Sequence, residues 1–459
     1  MRTRFLLFFW LVSLLPMAAQ DVLDSYIDTA MQNNLALKKR QIDYRKQLSV
    51  LQEAKARFLP TLAINARLSA AREGRAIIIP VGDLVNPVYN NLNALNQFGA
   101  VLSEDYPNFP NYPNIANEQE NFLRRQEQET VLRLQAPVYN PQVFANRRLQ
   151  DKLAQAEAIG VDAYRRELVK EVKTAYYIFL QAAESVQLFI NTRSLLEENL
   201  RTTESLYDNH QITLDEVYNA EARLREVEQQ LAAARQQQNS ARAFFNFLLN
   251  RPLEREIVIL ADPVLTQPAI SLAEARKKAL QLRPELRQLA LSQDASEEAV
   301  KLSKASFLPG INLQADYGVQ GVNYNIDSDS DFFLASLVLN WTLFDRSARQ
   351  RVEQATLDVQ RVKREEEEVR GQLKLQVIDA WYAVQAAREQ QEQAKAEVAA
   401  ARRAFRLVNK KYEQGQVNQL TLSDARTQMT NAEGRLIIAR YGFYIRLAEL
   451  EYATAGYAL

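Results

Sequence analysis

The segment Lys55-Ala-Arg-Phe-Leu-Pro60 recurs as Lys304-Ala-Ser-Phe-Leu-Pro309, 249 residues further along a chain of 459. At the same offset Leu23, Ala30, Gln32 and Leu37 match Leu272, Ala279, Gln281 and Leu286. Further on the offset becomes 205. Pro137-Val-Tyr-Asn140 faces Thr342-Leu-Phe-Asp345, Ala175-Tyr-Tyr177 faces Ala380-Trp-Tyr382, Tyr207 faces Tyr412, and Ala220 faces Ala425. An ordered series of matches at two fixed offsets is a tandem duplication. Whatever one copy folds into, the other must repeat, and the first copy carries an insertion between Pro60 and Pro137.

Each copy reads as helix, strand, strand, long helix, turn, long helix. Residues 142–251 contain no proline, and none occurs from 310 to the end, which leaves room for uninterrupted helices. Leu168, Val172, Ala175, Phe179, Ala182, Val186 and Phe189 step alternately by four and three residues. Leu373, Val377, Ala380, Val384, Ala387, Ala394, Val398, Ala401, Phe405, Val408 and Tyr412 keep one phase, broken only at Gln391. A sustained 3.5-residue repeat predicts coiled-coil packing with a left-handed supercoil. Charge runs such as Lys363-Arg-Glu-Glu-Glu-Glu368 suit a solvated helix face.

The proline-led segments have period two. Leu62, Ile64, Ala66 and Leu68 alternate with Ala63, Asn65, Arg67 and Ser69, and Leu132, Leu134 and Ala136 with Val131, Arg133 and Gln135. In the second copy Ile311, Leu313, Ala315 and Tyr317 alternate with Asn312, Gln314 and Asp316, and Leu337, Leu339 and Trp341 with Ser336, Val338 and Asn340. Alternation over about ten residues suits strands of a transmembrane barrel, apolar toward lipid and polar toward the lumen. A soluble sheet with one buried face is the competing reading. Pro60 and Pro309 fit as helix-to-strand switches, because the residue before proline is pushed toward extended geometry. Pro137 marks the return from strand to helix.

The amino terminus favours the membrane reading. Arg2 and Arg4 precede the apolar run 5–15, and Pro16-Met-Ala-Ala-Gln20 supplies small residues for cleavage. The expectation is an export signal over residues 1–20; a signal anchor is the alternative. The first repeat then covers 21–262, with strands near 61–70 and 129–138, an insertion over 71–127 and a helical turn near 208–214. The second covers 263–459, with strands near 310–319 and 332–343 and a turn near 413–420. Residues 78–117 hold five prolines and nine asparagines, which predicts turn-rich, irregular chain at the tip of the first hairpin.

Composition removes most chemistry. There is no cysteine and one histidine, His210, against 56 basic and 56 acidic residues. Disulfides, Cys/His metal sites, thiol nucleophiles and serine triads are excluded together, and no charge excess points to nucleic acid. Neither a cofactor, a metal nor an enzymatic activity is expected. Four strands cannot close a barrel, and open edges are not tolerated in lipid, so the chain must oligomerise. A dimer gives eight strands and a filled interior; a trimer gives twelve and room for a conduit.

Taken together the chain resembles the TolC-like outer-membrane efflux proteins. The resemblance rests on the duplicated Phe-Leu-Pro strand entry, on Ala279-Leu-Gln-Leu-Arg-Pro-Glu285, and on the hairpin turns. The second turn runs Tyr412-Glu-Gln-Gly-Gln-Val-Asn-Gln-Leu-Thr-Leu-Ser-Asp-Ala425, and the first Tyr207-Asp-Asn-His-Gln-Ile-Thr-Leu-Asp-Glu-Val-Tyr-Asn-Ala220. It implies a mainly α protein with membrane β: a homotrimer whose twelve strands form a barrel in the outer membrane of a Gram-negative bacterium, continued by a helical periplasmic tunnel. It also implies a periplasmic adaptor as partner and, through it, an inner-membrane pump or exporter. Tyr207, His210, Gln211, Ile212, Tyr412, Gly415, Gln416 and Val417 would form the periplasmic tip that docks the adaptor and gates the duct. Asp215, Glu216 and Asp424 would lie in the first turns of the returning helices, where carboxylates suit the helix N-terminus and, by the resemblance, the duct entrance. Gly415 suits the positive φ of a tight helical turn. His210 replaces that glycine in the first copy, as a pH-sensing group or as a plain exposed turn residue. Val417 stands where some relatives carry a basic residue. The rival classes are a periplasmic adaptor-like protein and a structural coiled coil without a pore.

Overall fold

A computed structural model describes residues 18–72, 74–102, 110–123, 125–259, 270–322 and 330–457. Of the expected export signal, residues 1–17 lie outside the described residues. In chain order the first repeat gives α1 (Ala18–Asn33), α2 (Leu35–Ala56), β1 (Thr61–Ala70), β2 (Ala76–Ile79), α3 (Val81–Leu102), β3 (Glu118–Asn121), β4 (Gln126–Tyr139), α4 (Pro141–Asp208) and α5 (Leu214–Leu248). The second gives α6 (Leu272–Leu282), α7 (Pro284–Ala305), β5 (Gly310–Gly321), β6 (Asp331–Asn340), α8 (Arg346–Glu413) and α9 (Gln419–Ala453). Helices α4 and α8 are 68 residues each, α5 and α9 are 35 each, and each pair begins and ends 205 residues apart. At 1.5 Å per residue the longer pair runs about 100 Å.

The chain divides into a helical unit (residues up to 53, 145–303 and 349–459) and a unit built on strands (54–144 and 304–348). In the helical unit the 3.5-residue seams are the core. Leu168, Val172, Ala175, Phe179, Ala182 and Val186 of α4 are buried, as are Leu373, Val377, Ala380, Val384 and Ala387 of α8. Tyr177 and Phe245 complete that core, with Tyr177 ring-stacked on Tyr444 at 5.3 Å. Among the described residues no helix is long and apolar enough to cross a membrane.

The entry helix of each copy is two helices rather than the single one expected. In the first, Asn34 Oδ1 accepts from Leu37 N (2.9 Å) while its Nδ2 donates to the Leu248 carbonyl (2.9 Å). This buried side chain caps α2 and ties the break to α5. In the second, Arg283 is extended (φ −66°, ψ 124°) because Pro284 follows it. Its guanidinium donates to both Glu285 oxygens (2.6 and 2.9 Å) and to the Tyr452 carbonyl.

The strand unit holds an antiparallel sheet in the order β1-β4-β5-β6. Its register stacks one parity of every strand: Ile64 opposes Leu132, Leu132 opposes Tyr317, and Tyr317 opposes Phe333; Leu313 opposes Leu337. That face is apolar over most of its length, with Gln128, Thr130 and Asp331 at one end, and Ile64, Leu68, Phe333 and Leu337 are 68–73% exposed on it. The other face carries Arg67–Glu129 (3.0 Å), a two-bond Arg133–Asp316 pair (2.9 Å each) and Gln135–Gln314 (3.2 Å). Strand β6 adds Phe332, Leu334 and Val338 to it, so its alternation is weaker than the sequence pattern suggests.

Three expectations need correction here. The insertion is not irregular throughout: it contains the 22-residue helix α3 and a second, two-stranded sheet, β2-β3, so the chain has six described strands and not four. Proline and asparagine composition hid this because the asparagines hold the helix in place by side-chain hydrogen bonds, described below. Pro137 is not the strand-to-helix junction. It lies inside β4 beside a register shift between Pro137 and Tyr139, where a missing N–H is tolerated. The junction is Asn140, whose Oδ1 accepts from Gln142 and Val143 N, followed by Pro141 at the first helical position. Trp341 falls just past β6 and donates from Nε1 to the Phe307 carbonyl (3.0 Å).

Candidate functional site

Pro60 and Pro309 each separate a helix from a strand, after matching turns in which Phe58 and Leu59, or Phe307 and Leu308, bond back to the last helical turn. The other sequence-singled residues cluster at the turns that end α4 and α8. In the first turn His210 N donates to the Tyr207 carbonyl (2.8 Å) and Gln211 N to the Leu206 carbonyl (2.9 Å). In the second Gly415 N donates to Tyr412 O (2.9 Å) and Gln416 N to Lys411 O (2.8 Å). Both are Schellman caps, which require a left-handed residue at the same place. Gly415 has φ +67° and His210 has φ +58°. The first copy therefore keeps the glycine's conformation without the glycine. Asn250 (φ +50°) and Ala455 (φ +51°) repeat the device at the ends of α5 and α9, again 205 residues apart.

The returning helices start differently. Asn418 caps α9, its Oδ1 accepting from Thr421 N (3.0 Å) and Oγ1 (2.8 Å), whereas Thr213 makes no side-chain cap on α5. Asp215 and Glu216 stand in the first turn of α5. Asp424 does not share that position: α9 begins at Gln419, which puts Asp424 in its second turn, beyond the reach of most of the helix N-terminal field. His210, Gln211, Gly415, Gln416, Asp215 and Asp424 are exposed, while Ile212, Val417, Tyr412 and Glu216 are half-buried and Tyr207 is 38% exposed. Among the described residues Asp215, Glu216 and Asp424 form no ion pair.

The two hairpins touch at this end. Gln419 of α9 donates from Nε2 to Asn199 Oδ1 of α4 (2.6 Å). Burial, and then the Glu216 carboxylate of α5, raise the Tyr412 hydroxyl above its ordinary pKa. Burial lowers the Arg426 guanidinium, partly offset by Glu198 of α4. Arg426 also lies 5.6 Å over the Phe405 ring, and its Nε is buried without an acceptor among the described residues. Sequence reasoning missed Asn199, Gln419 and Arg426. The Asn418-x-x-Thr421 cap is readable from spacing, but the Asn199–Gln419 bond joins residues 220 apart and leaves no local pattern.

Residues 275–456 match the model of a family described as outer membrane efflux protein. Over 160 residues the chain is 28% identical to outer membrane protein TolC of Vibrio cholerae serotype O1, covering 35% of this chain and 36% of that relative. The chain thus spans about a third of the curated relative it matches. Similarity in fold reaches much further. The Campylobacter jejuni CmeC outer membrane channel superposes with a TM-score of 0.77 at 15% identity, covering 97% of this chain and 89% of that one. A membrane protein from Pseudomonas aeruginosa gives 0.76 at 17%, covering 94% and 92%. The open-state Neisseria gonorrhoeae MtrE outer membrane channel gives 0.73 at 20%, covering 94% and 88%. The second repeat thus matches the model of that family, and over almost its whole length the chain has the fold of solved outer-membrane channels.

Proposed function

We propose that this chain is the outer-membrane duct of a tripartite efflux or type I secretion system, a homotrimer whose sheets close into a twelve-stranded barrel. One observation carries the reading: a four-stranded antiparallel sheet, with one face largely apolar and its outer strands exposed on that face, ends on both sides in an unpaired edge, β1 and β6. In lipid those backbone groups have no water to bond, so the edges must pair with other copies. The strand count is even, so β6 of one copy meets β1 of the next antiparallel and the ring closes without a mismatch. The apolar ladder faces lipid, and the face holding Arg67, Arg133 and Asp316 lines the lumen. Helices α4, α5, α8 and α9 continue the passage into the periplasm, and no bond is made or broken in the substrate.

In this reading the Tyr207–Ile212 and Tyr412–Val417 turns meet a periplasmic adaptor coupled to an inner-membrane pump. Asp215, Glu216 and Asp424, tripled by symmetry, favour cations at the entrance. Asp215→Asn, Glu216→Gln and Asp424→Asn combined should move the reversal potential of the pore under a salt gradient toward zero. The absence of native cysteines makes the sheet itself testable. In outer membranes a water-soluble maleimide should label Asn65→Cys and Asn312→Cys but spare Ile64→Cys and Leu337→Cys. Equal labelling of both parities would mean a sheet in water, and the adaptor-like or structural reading would replace the duct.

A further inference from the structure

Helices α4 and α9 belong to different repeats, and inside one chain they pack on each other. Tyr177 of α4, 2% exposed, stacks on Tyr444 of α9. Nearer the turns Glu184 pairs with Arg440, and the Glu198 carboxylate favours the charged Arg426 guanidinium. Each of these residues has a counterpart 205 positions away, because α4 matches α8 and α5 matches α9 in both length and offset. The counterparts of Glu184 and Arg440 are Glu389 and Arg235, with both charges kept. Those of Glu198 and Arg426 are Arg403 and Glu221, with both charges exchanged. Opposite signs are thus preserved at both places, once directly and once by reversing both partners.

The counterparts do not meet inside the chain. Glu389 and Arg235 are exposed, and neither forms an ion pair among the described residues. Glu221 pairs with Arg225 of its own helix (3.5 Å), and Arg403 donates to the Ala399 carbonyl of its own. Tyr382, the counterpart of the buried Tyr177, is 57% exposed. Tyr382, Glu389, Ala396 and Arg403 stand seven residues apart along α8 and are all exposed, an open line at coiled-coil spacing. A second copy is the occupant that fits it. The operation that carries the first repeat onto the second, applied once more, carries α4 onto α8 and α9 onto α5 of the next chain, and such a head-to-tail contact closes into a ring. The charge match belongs to the part of the helices nearer the turns. Farther away Lys173–Glu451 corresponds to Ile378 and Asn246, and the Asn246 amide is spent on the Leu253 and Arg255 carbonyls. We infer that α8 of each subunit packs on α5 of the next in the register of the α4–α9 contact, with Glu389 against Arg235 and Arg403 against Glu221, a contact that presupposes the homotrimer proposed above. Ion pairs this exposed fix register and partner more than strength.

The chain has no native cysteine, so single substitutions report the contact in the full protein. Chains carrying Arg235→Cys and chains carrying Glu389→Cys are made in the same cells with distinguishable tags. A short bis-maleimide applied to native outer membranes should join them into a doubled-mass band that holds both tags. Neither variant made alone should give that band, because the contact joins unlike faces. Glu221→Cys mixed with Arg403→Cys should behave in the same way. Three-chain particles that hold both tags but do not cross-link, in either mixture, overturn the inference, whether or not their thiols take up a monofunctional maleimide. A band from one variant made alone overturns it as well, since like faces would then meet. Single-chain particles would instead sink the trimer itself, so mass tells the two failures apart.

Discussion

His210 sits at φ +58°, where a Cβ crowds the following carbonyl at a cost of about 1–2 kcal/mol. Gly415, its repeat counterpart, has the same backbone without that cost. His210→Gly should therefore stabilise the protein by about 1 kcal/mol, read as a higher thermal midpoint in detergent, while His210→Ala should not. A neutral His210→Gly would show that the imidazole offsets the strain. A second residue-scale test concerns Glu298 of α7, 9% exposed. Burial alone would raise its carboxyl, but hydrogen bonds from Arg148 and Lys301 (2.8 Å each) prevail and hold it below the ordinary glutamate range. A pKa lower in the folded chain gives stability that is complete above the unfolded value, about 4.3, and lost as pH falls through the folded one. Glu298→Gln should be less stable at neutral pH and flatter below about pH 4.3 than the native chain. Parallel acid-side melting curves would contradict this account.

At the scale of elements, the long helices were legible because their 3.5-residue seam is continuous. Val377 and Val384 carry it and are fully buried. Val384→Ala should cost about 2 kcal/mol, whereas Glu392→Ala on the exposed flank of α8 should stay within about 0.5 kcal/mol, compared by thermal midpoint in the same detergent. Equal effects would mean that α8 packs on a different face. The breaks at Asn34 and α3 were not legible, for a shared reason. Asn34 interrupts the entry helix by bonding a carbonyl 214 residues away, and α3 is secured by asparagine side-chain bonds that span 19 to 34 residues. Asparagine and proline signal turns when their bonds are local. Here the bonds are long-range, and a helix with Pro87 inside it is the outcome. The tip was half legible: Gly415 announced its turn, but the His210 conformation follows from the repeat and not from histidine's own preference. The α4–α9 contacts through Asn199 and Arg426 were invisible.

For the whole molecule, duplication and oligomerisation answer the same problem. Each copy of the unit supplies two strands to the main sheet, so one chain yields an open four-stranded sheet with both edges bare. An exposed apolar face with bare edges is unstable as a monomer in either water or lipid. In the trimer proposed above, repetition by symmetry would remove the edges and turn the polar face into a lumen, and would set three copies of each helical turn around one entrance. The measurement that bears most directly on this account is the molar mass of the protein extracted from outer membranes in mild detergent, by light scattering with the detergent contribution subtracted. The account predicts three chains per particle. A single chain, recovered without lipid from the periplasmic fraction, would contradict it.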